Sequence, residues 1–182
     1  MAGNCGERAS SQDGVPGLSL RAAAPADAEL ILDLIRELAE FERLAHEVSA
    51  DAAGLRRHLF GRRPAAEVLI AEVEGAPAGF ALFFHTFSTF IGKPGIYLED
   101  LFIRPTYRGR GIGAAVLAHL ARLALDRGCG RLEWSVLDWN EAAIAFYKRL
   151  GARPMADWTV YRVDGERLEA LAAAEDIGLG PQ

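Results

Sequence analysis

Apolar residues recur at helical spacing through Leu30, Leu34, Ile35, Leu38 and Phe41, and Pro25 with Asp27 supplies a start signal, so this stretch predicts a helix. Ahead of it Leu18-Ser19-Leu20-Arg21-Ala22 alternates like a half-buried strand. A second short helix is expected from a cap at Ser49 or Asp51 through Leu55 and Leu59 to Phe60, where Gly61 and Pro64 break the chain. Val68 to Val73 reads as a strand, Gly75-Ala76-Pro77 as a turn, Ala78 to Thr86 as the hairpin partner, and Gly95 to Arg104 as a third strand. The helix from Ile112 to Arg127 buries Val116, Leu117, Leu120, Leu123 and Ala124 and stops at Gly128. Arg131 to Leu137 then reads as a strand, Asn140 caps a helix to Leu150, and Trp158 to Val163 is expected as the final strand. The order β-α-α-β-β-β-α-β-α-β joins an antiparallel meander to α/β crossovers and predicts an α/β domain with a mixed sheet.

At 182 residues the chain suits one domain that buries roughly 70% of its unfolded surface. That domain is expected over residues 18–174, between an N-terminal extension (1–17), rich in Gly and Ser and expected to be disordered, and a flexible tail (175–182). A hydrophobic fraction of 51% with 25% charged residues belongs to an ordinary globular protein, and a net charge of −5 argues against general nucleic-acid binding. The extension has no apolar core of the kind a secretory signal carries, and no stretch approaches the ~18 apolar residues of a spanning helix. The expectation is therefore a cytoplasmic protein without membrane attachment. Cys5 and Cys129 show no metal-ligand spacing, and His46, His58, His85 and His119 share no helical face, so no metal is expected.

The decisive stretch is the strand through Glu99, Asp100, Leu101, Phe102 and Ile103, followed by Arg108, Gly109, Arg110, Gly111, Ile112, Gly113 and Ala114. A strand entering a glycine-rich turn that opens a helix aims unpaired N–H groups at an anion. A Walker-type loop would require a Lys-Ser/Thr pair that is missing here. A dinucleotide site is formally met by Gly109, Gly111 and Ala114, with Asp138 as the ribose acid, yet a first Rossmann strand is normally an apolar run rather than one carrying Glu99-Asp100. The pyrophosphate loop of an acyl-CoA enzyme accounts for both arginines as countercharge. A purely structural turn leaves them unexplained.

Acyl transfer to an amine requires an anchored thioester, a deprotonated amine, a polarised carbonyl and a proton for the departing thiolate. Glu99 is a candidate base, acting directly or through a water, and a bulge in the strand Leu101-Phe102-Ile103 would offer a free N–H to the carbonyl. Tyr147, protonated at neutral pH, is the candidate acid. Alternation puts Glu99 and Asp100 on opposite strand faces. Glu29, Asp33, Glu37 and Glu40 read as a solvated face of the first helix. Glu42, beside Phe41 at its end, is better placed to meet an amine.

Together Phe87 to Lys93, Tyr97 to Leu101, Tyr107 to Gly113 and Trp139 to Tyr147 resemble the GNAT superfamily of acyl-CoA-dependent N-acetyltransferases. They are most similar to its diamine acetyltransferase branch, the spermidine/spermine and thialysine type, over about Leu18 to Asp164. The resemblance implies a GNAT-like, mostly antiparallel central sheet flanked by helices, acetyl-CoA as co-substrate, a small cationic amine as acceptor, and a homodimer. It implies Tyr147 as catalytic acid, Glu99 as substrate-binding residue and candidate base, and Leu101, Phe102 and Ile103 as the strand that pairs with pantetheine. Arg108 to Ala114 match the pyrophosphate loop, and Asn140, Glu141, Ala142 and Ala143 a second CoA contact. Phe41, Glu42, Glu133, Trp134 and Ser135 fall where the family lines its acceptor pocket, and Asp100, next to Glu99, is a further candidate for binding the substrate. Phe41 stands where polyamine-type members tend to carry Tyr, which leaves a thialysine-like amino acid or short diamine equally compatible. A protein lysine or N-terminus as acceptor, and an acyl-CoA sensor without turnover, are the competing readings.

Overall fold

The computed structural model describes residues 14–173; the expected extension up to residue 13 and the tail from 174 lie outside the described residues. The chain divides into two compact units, 1–140 and 141–182. In the first, a turn over Gly14–Gly17 leads into β1 (Leu18–Ala22), followed by α1 (Ala28–Glu42), α2 (Ala52–Phe60), β2 (Glu67–Val73), β3 (Ala76–Ser88), β4 (Lys93–Ile103), α3 (Ile112–Asp126) and β5 (Leu132–Trp134). The sheet order is β1-β2-β3-β4-β5, antiparallel from β1 to β4 and parallel between β4 and β5. The second unit carries α4 (Glu141–Arg149) and α5 (Gly165–Ala173).

Pattern and structure agree where a long amphipathic face is buried. On α1, Ile31 and Leu34 are fully buried and pack with Leu59 of α2, Val68 and Ile70 of β2, Phe80 of β3 and Phe102 of β4. Each such side chain contributes about 1.5–3 kcal/mol of hydrophobic stabilisation. The helix ends at Arg43 in the left-handed region (φ 62°), and the N–H of Leu44 returns to the carbonyl of Ala39 at 2.8 Å. Asp51 is the cap of α2, accepting from the N–H of Gly54 at 2.6 Å. α3 packs on β4 and β5, and its His119 and Leu123 line a cleft together with Leu69 and Phe83.

The end of the order departs from expectation. The strand anticipated over Arg131 to Leu137 is shortened to Leu132–Trp134, and Trp158–Val163 is irregular rather than a strand. A strand exists only through a ladder with a neighbour, and Trp158, Val160 and Tyr161, 70–90% exposed, have none among the described residues. Their β-branched and aromatic character is propensity without a partner. The helix that follows, α5, was not anticipated.

Candidate active site

β4 carries the feature that organises the site. Phe83 pairs with Leu98 and Leu82 with Asp100, so Glu99 is an extra residue with no partner on β3, a β-bulge. The bulge breaks the alternation expected of Glu99 and Asp100. Because Phe84 and Leu82 share one face of β3, their partners Tyr97 and Asp100 share it too, together with Phe102 opposite Phe80. Phe102, Phe80 and Leu82 pack with α1, so Asp100 lies on the α1 face. The bulge also sits immediately ahead of Leu101-Phe102-Ile103, the segment for which a free N–H was anticipated.

The other edge of β4 opens at the same point. β5 pairs with Ile96, Tyr97 and Leu98 only, so from Glu99 to Ile103 that edge has no strand partner among the described residues. Glu133, opposite Tyr97, falls on the face of Asp100; Ser135 follows it and its hydroxyl lies 2.6 Å from that of Tyr97. The carboxylate of Glu133 is engaged by Arg131 at 2.7 Å. Trp134 pairs with Leu98 and so belongs to the opposite face; it is not gathered with Glu133 and Ser135.

Three carboxylates set the electrostatics. Burial, reinforced by the charges of Glu99 and Glu42, pushes the Asp100 carboxyl up to about 6, and burial also raises that of Glu42. Glu99 is exposed. Above about pH 6 the Asp100 carboxyl is ionised beside Glu99 and Glu42, a concentration of negative charge that favours a cation.

Beyond β4 the chain passes through a 3₁₀ turn, Pro105–Tyr107, into the loop. Gly109 (φ 74°) and Gly111 (φ 83°) are left-handed, a conformation that a side chain disfavours. Gly111 precedes α3 with no side-chain cap, and the N–H groups of Ile112, Gly113 and Ala114 come ahead of the first intrahelical bond, Ala115 N–H to Gly111 carbonyl at 3.0 Å. These are the N–H groups expected from the sequence to face an anion, and the helix start leaves them without an intrahelical partner. Arg108, expected as countercharge, instead folds back: its Nε donates to the carbonyl of Ile103 at 2.8 Å, and its guanidinium lies 4.4 Å from the Phe41 ring centre and 5.7 Å from that of Phe102. Phe41 also meets Trp139, ring centres 6.0 Å apart. The Arg110 guanidinium lies over Tyr107 at 5.8 Å.

The structure thus brings together Phe41, Glu42, Asp100, Phe102 and Arg108, with Glu99 and the loop alongside. In the second unit Tyr147 lies on α4, its carbonyl accepting from Ala152 at 3.1 Å and its ring 5.3 Å from that of Phe146. Glu141, Ala142 and Ala143 form the first turn of α4, directly after Asn140, whose N–H bonds to the Leu137 carbonyl at 2.8 Å. The described residues contain no group of three or more His, Cys, Asp or Glu able to hold a metal. A cleft of about 360 Å³ between α2, α3 and the first strands is lined by none of these site residues.

The acetyltransferase (GNAT) family model matches residues 31–152, from within α1 to just beyond α4, and so takes in the bulged strand, the glycine loop and Tyr147. The chain belongs to the GNAT acetyltransferase family. This acetyltransferase is 40% identical over 164 residues to the thialysine N-epsilon-acetyltransferase of Bos taurus, an alignment covering 84% of the chain and 96% of that relative. It is 33% identical to an L-ornithine N5-acetyltransferase of Arabidopsis thaliana, covering 84% and 86%. Among solved structures, an integron cassette protein from the mobile metagenome of V. cholerae superposes with a TM-score of 0.74 at 25% identity, covering 87% of this chain and 99% of the other. The acetyltransferase is an acyl-CoA-dependent N-acetyltransferase of the diamine branch, and the mixed, mostly antiparallel sheet is the family's.

Sequence reasoning missed one pair in this region. Glu37, grouped with a solvated helix face, forms a forked ion pair with Arg104, its Oε1 2.6 Å from Nη2 and its Oε2 2.9 Å from Nε. Helical spacing carries no signal for a partner 67 residues away.

Proposed function

We propose that the acetyltransferase moves the acetyl group of acetyl-CoA to the primary amine of a small cationic acceptor, a thialysine-like amino acid, a diamine or a polyamine. The observation that carries this is the bulge at Glu99, which turns Asp100 onto the face of Glu42 at the point where the β4 edge becomes free. One strand then presents carboxylates to a cation and unpaired backbone groups to an acyl donor.

The residues present fit acetyl-CoA. The N–H groups of Ile112, Gly113 and Ala114, with Arg110 beside them, would hold the pyrophosphate. The free edge of Leu101, Phe102 and Ile103 would pair with the pantetheine amides, and Asn140 to Ala143 would supply a second contact. When bound, the co-substrate supplies an activated acyl thioester. Glu42 and Asp100 attract and orient the ammonium, and Glu99 takes its proton directly or through a water. A carboxylate does not by itself deprotonate an amine of pKa about 10.4, so desolvation of the amine among these groups is part of the step. An N–H on the β4 edge polarises the carbonyl. Tyr147 donates the proton the thiolate needs, an assignment supported by its place in the Trp139–Tyr147 segment of the family.

The exposed Phe87 near the end of β3, with Phe90 and Ile91 of the turn that follows, supports a homodimer. No described helix is long and apolar enough to cross a membrane.

The experiment is CoA release from acetyl-CoA, followed with a thiol reagent across thialysine, ornithine, lysine, putrescine, spermidine and a lysine peptide. Turnover with a free amine supports the proposal. Turnover confined to the peptide, or CoA binding without turnover on any acceptor, replaces it with a protein acetyltransferase or a sensor. The loop has its own check. Gly111→Ala puts a side chain at a left-handed position, a strain of about 1–2 kcal/mol that the loop escapes by leaving the conformation that aims its N–H groups, and a competent fraction reduced to about a tenth predicts a loss of CoA affinity of roughly 10-fold. Gly128→Ala, equally left-handed (φ 67°) but outside the loop, leaves CoA affinity unchanged in calorimetric titration.

A further inference from the structure

Two consecutive turns of α1 grip the two ends of one short segment. Glu37 holds Arg104, where β4 ends, and Phe41, four residues further along the same helix face, stacks on Arg108, where the loop begins. The first grip is the more rigid. Arg104 directs Nε and Nη2 onto both carboxylate oxygens of Glu37, its Nη1 to the carbonyl of Pro77 at 2.9 Å, and its backbone N–H to the carbonyl of Ala78 at 2.9 Å. Helix, hairpin and strand end therefore meet on a single guanidinium whose planar fork fixes direction as well as distance. Both side chains are only about one-third exposed.

A pair of this exposure adds little to stability. What it constrains is the last turn of α1, which carries Phe41 and Glu42 toward Asp100. We infer that Glu37 and Arg104 are positioning residues that set the acceptor-binding end of α1 against the bulged strand, and so govern amine recognition without touching the amine. This rests on the proposed placement of the amine at Glu42 and Asp100.

The test compares Glu37→Gln, Arg104→Met, Arg104→Lys and the Glu37→Gln/Arg104→Met double variant in the full chain. Amine KM and kcat, CoA affinity by calorimetry and melting temperature are measured for each. Displacement of a binding group by a fraction of an ångström predicts a rise in amine KM of about 10-fold in Glu37→Gln and Arg104→Met, with CoA affinity within about twofold. The double variant is no worse than the poorer single one, because each breaks the same link. Arg104→Lys keeps the charge and loses the fork, so its amine KM also rises. An unchanged amine KM in Glu37→Gln, or wild-type kinetics in Arg104→Lys, overturns the inference. So does a fall in melting temperature with equal losses toward both substrates, which marks a purely structural pair. Glu42→Gln and Asp100→Asn run in parallel separate the two levels. If they raise amine KM and Glu37→Gln does not, only the positioning role fails; if they leave it unchanged, the placement of the amine fails.

Discussion

Tyr147→Phe lowers turnover by about 10²-fold or more, the contribution general acid catalysis typically makes, while CoA affinity stays within about twofold. The substitution removes one oxygen and keeps the ring, so the contact with Phe146 at 5.3 Å and the end of α4 are retained. A phenol with a pKa near 10 is fully protonated at neutral pH and still acidic enough to donate to a thiolate. Single-turnover kinetics check this, because they isolate the chemical step from product release. Full activity in the variant would remove Tyr147 from the mechanism.

The second large effect divides activity from stability. Asp100→Asn cuts kcat/KM for the amine by roughly 10-fold to 100-fold at pH 8, the loss expected when a buried charge facing a cation is removed. In the unaltered enzyme the same parameter falls as pH drops through about 6, where the Asp100 carboxyl takes up its proton. The stability effect has the opposite sign. An unfolded Asp titrates near 3.9, so between about pH 4 and 6 the native state binds more protons than the unfolded one, and stability falls as pH rises across that window. Above it the ionised, buried carboxylate destabilises the fold. Asp100→Asn is therefore expected to gain about 1–2 kcal/mol at pH 8 and nothing near pH 4, read by denaturant melts at both pH values. Glu99→Gln, at an exposed position, weakens the amine reaction with no comparable gain in stability. Equal stability changes for Asp100→Asn at both pH values would contradict the buried-charge account.

The parts of the fold legible in the sequence were those written in local periodicity. The α1 face through Leu30, Leu34 and Leu38, the Asp51 cap and the glycine turn into α3 are each specified by residues within a few positions of one another. The place of the bulge was not: it is expected within Leu101-Phe102-Ile103 and falls at Glu99, because the run Tyr-Leu-Glu-Asp-Leu-Phe-Ile has no apolar/polar alternation from which a leftover residue could be read. Only its pairing with β3 shows that one residue is left over and that Asp100 changes face. Glu133 and Trp134, neighbours in the chain, fall on opposite faces of β5 because consecutive strand residues alternate. Glu37 looked like its neighbours Asp33 and Glu40, and what distinguishes it is a guanidinium distant in sequence. Trp158–Val163 shows the converse, a segment with strand composition that the described fold does not pair.

The short hold of β5 on β4 bears on handling as well as chemistry. A strand edge with unsatisfied amides is a template on which another chain can add, and natural sheets protect such edges. Among the described residues, 99–103 have no strand partner on this edge of β4, apart from the Ile103 carbonyl that Arg108 takes, at the place that would pair with pantetheine. The co-substrate would then act as an edge cover, stabilising the native state by mass action with the logarithm of its concentration over its dissociation constant. Solubility during concentration and storage would track how much CoA is in the buffer, and the enzyme would be most prone to precipitate when the cell's acyl-CoA runs low.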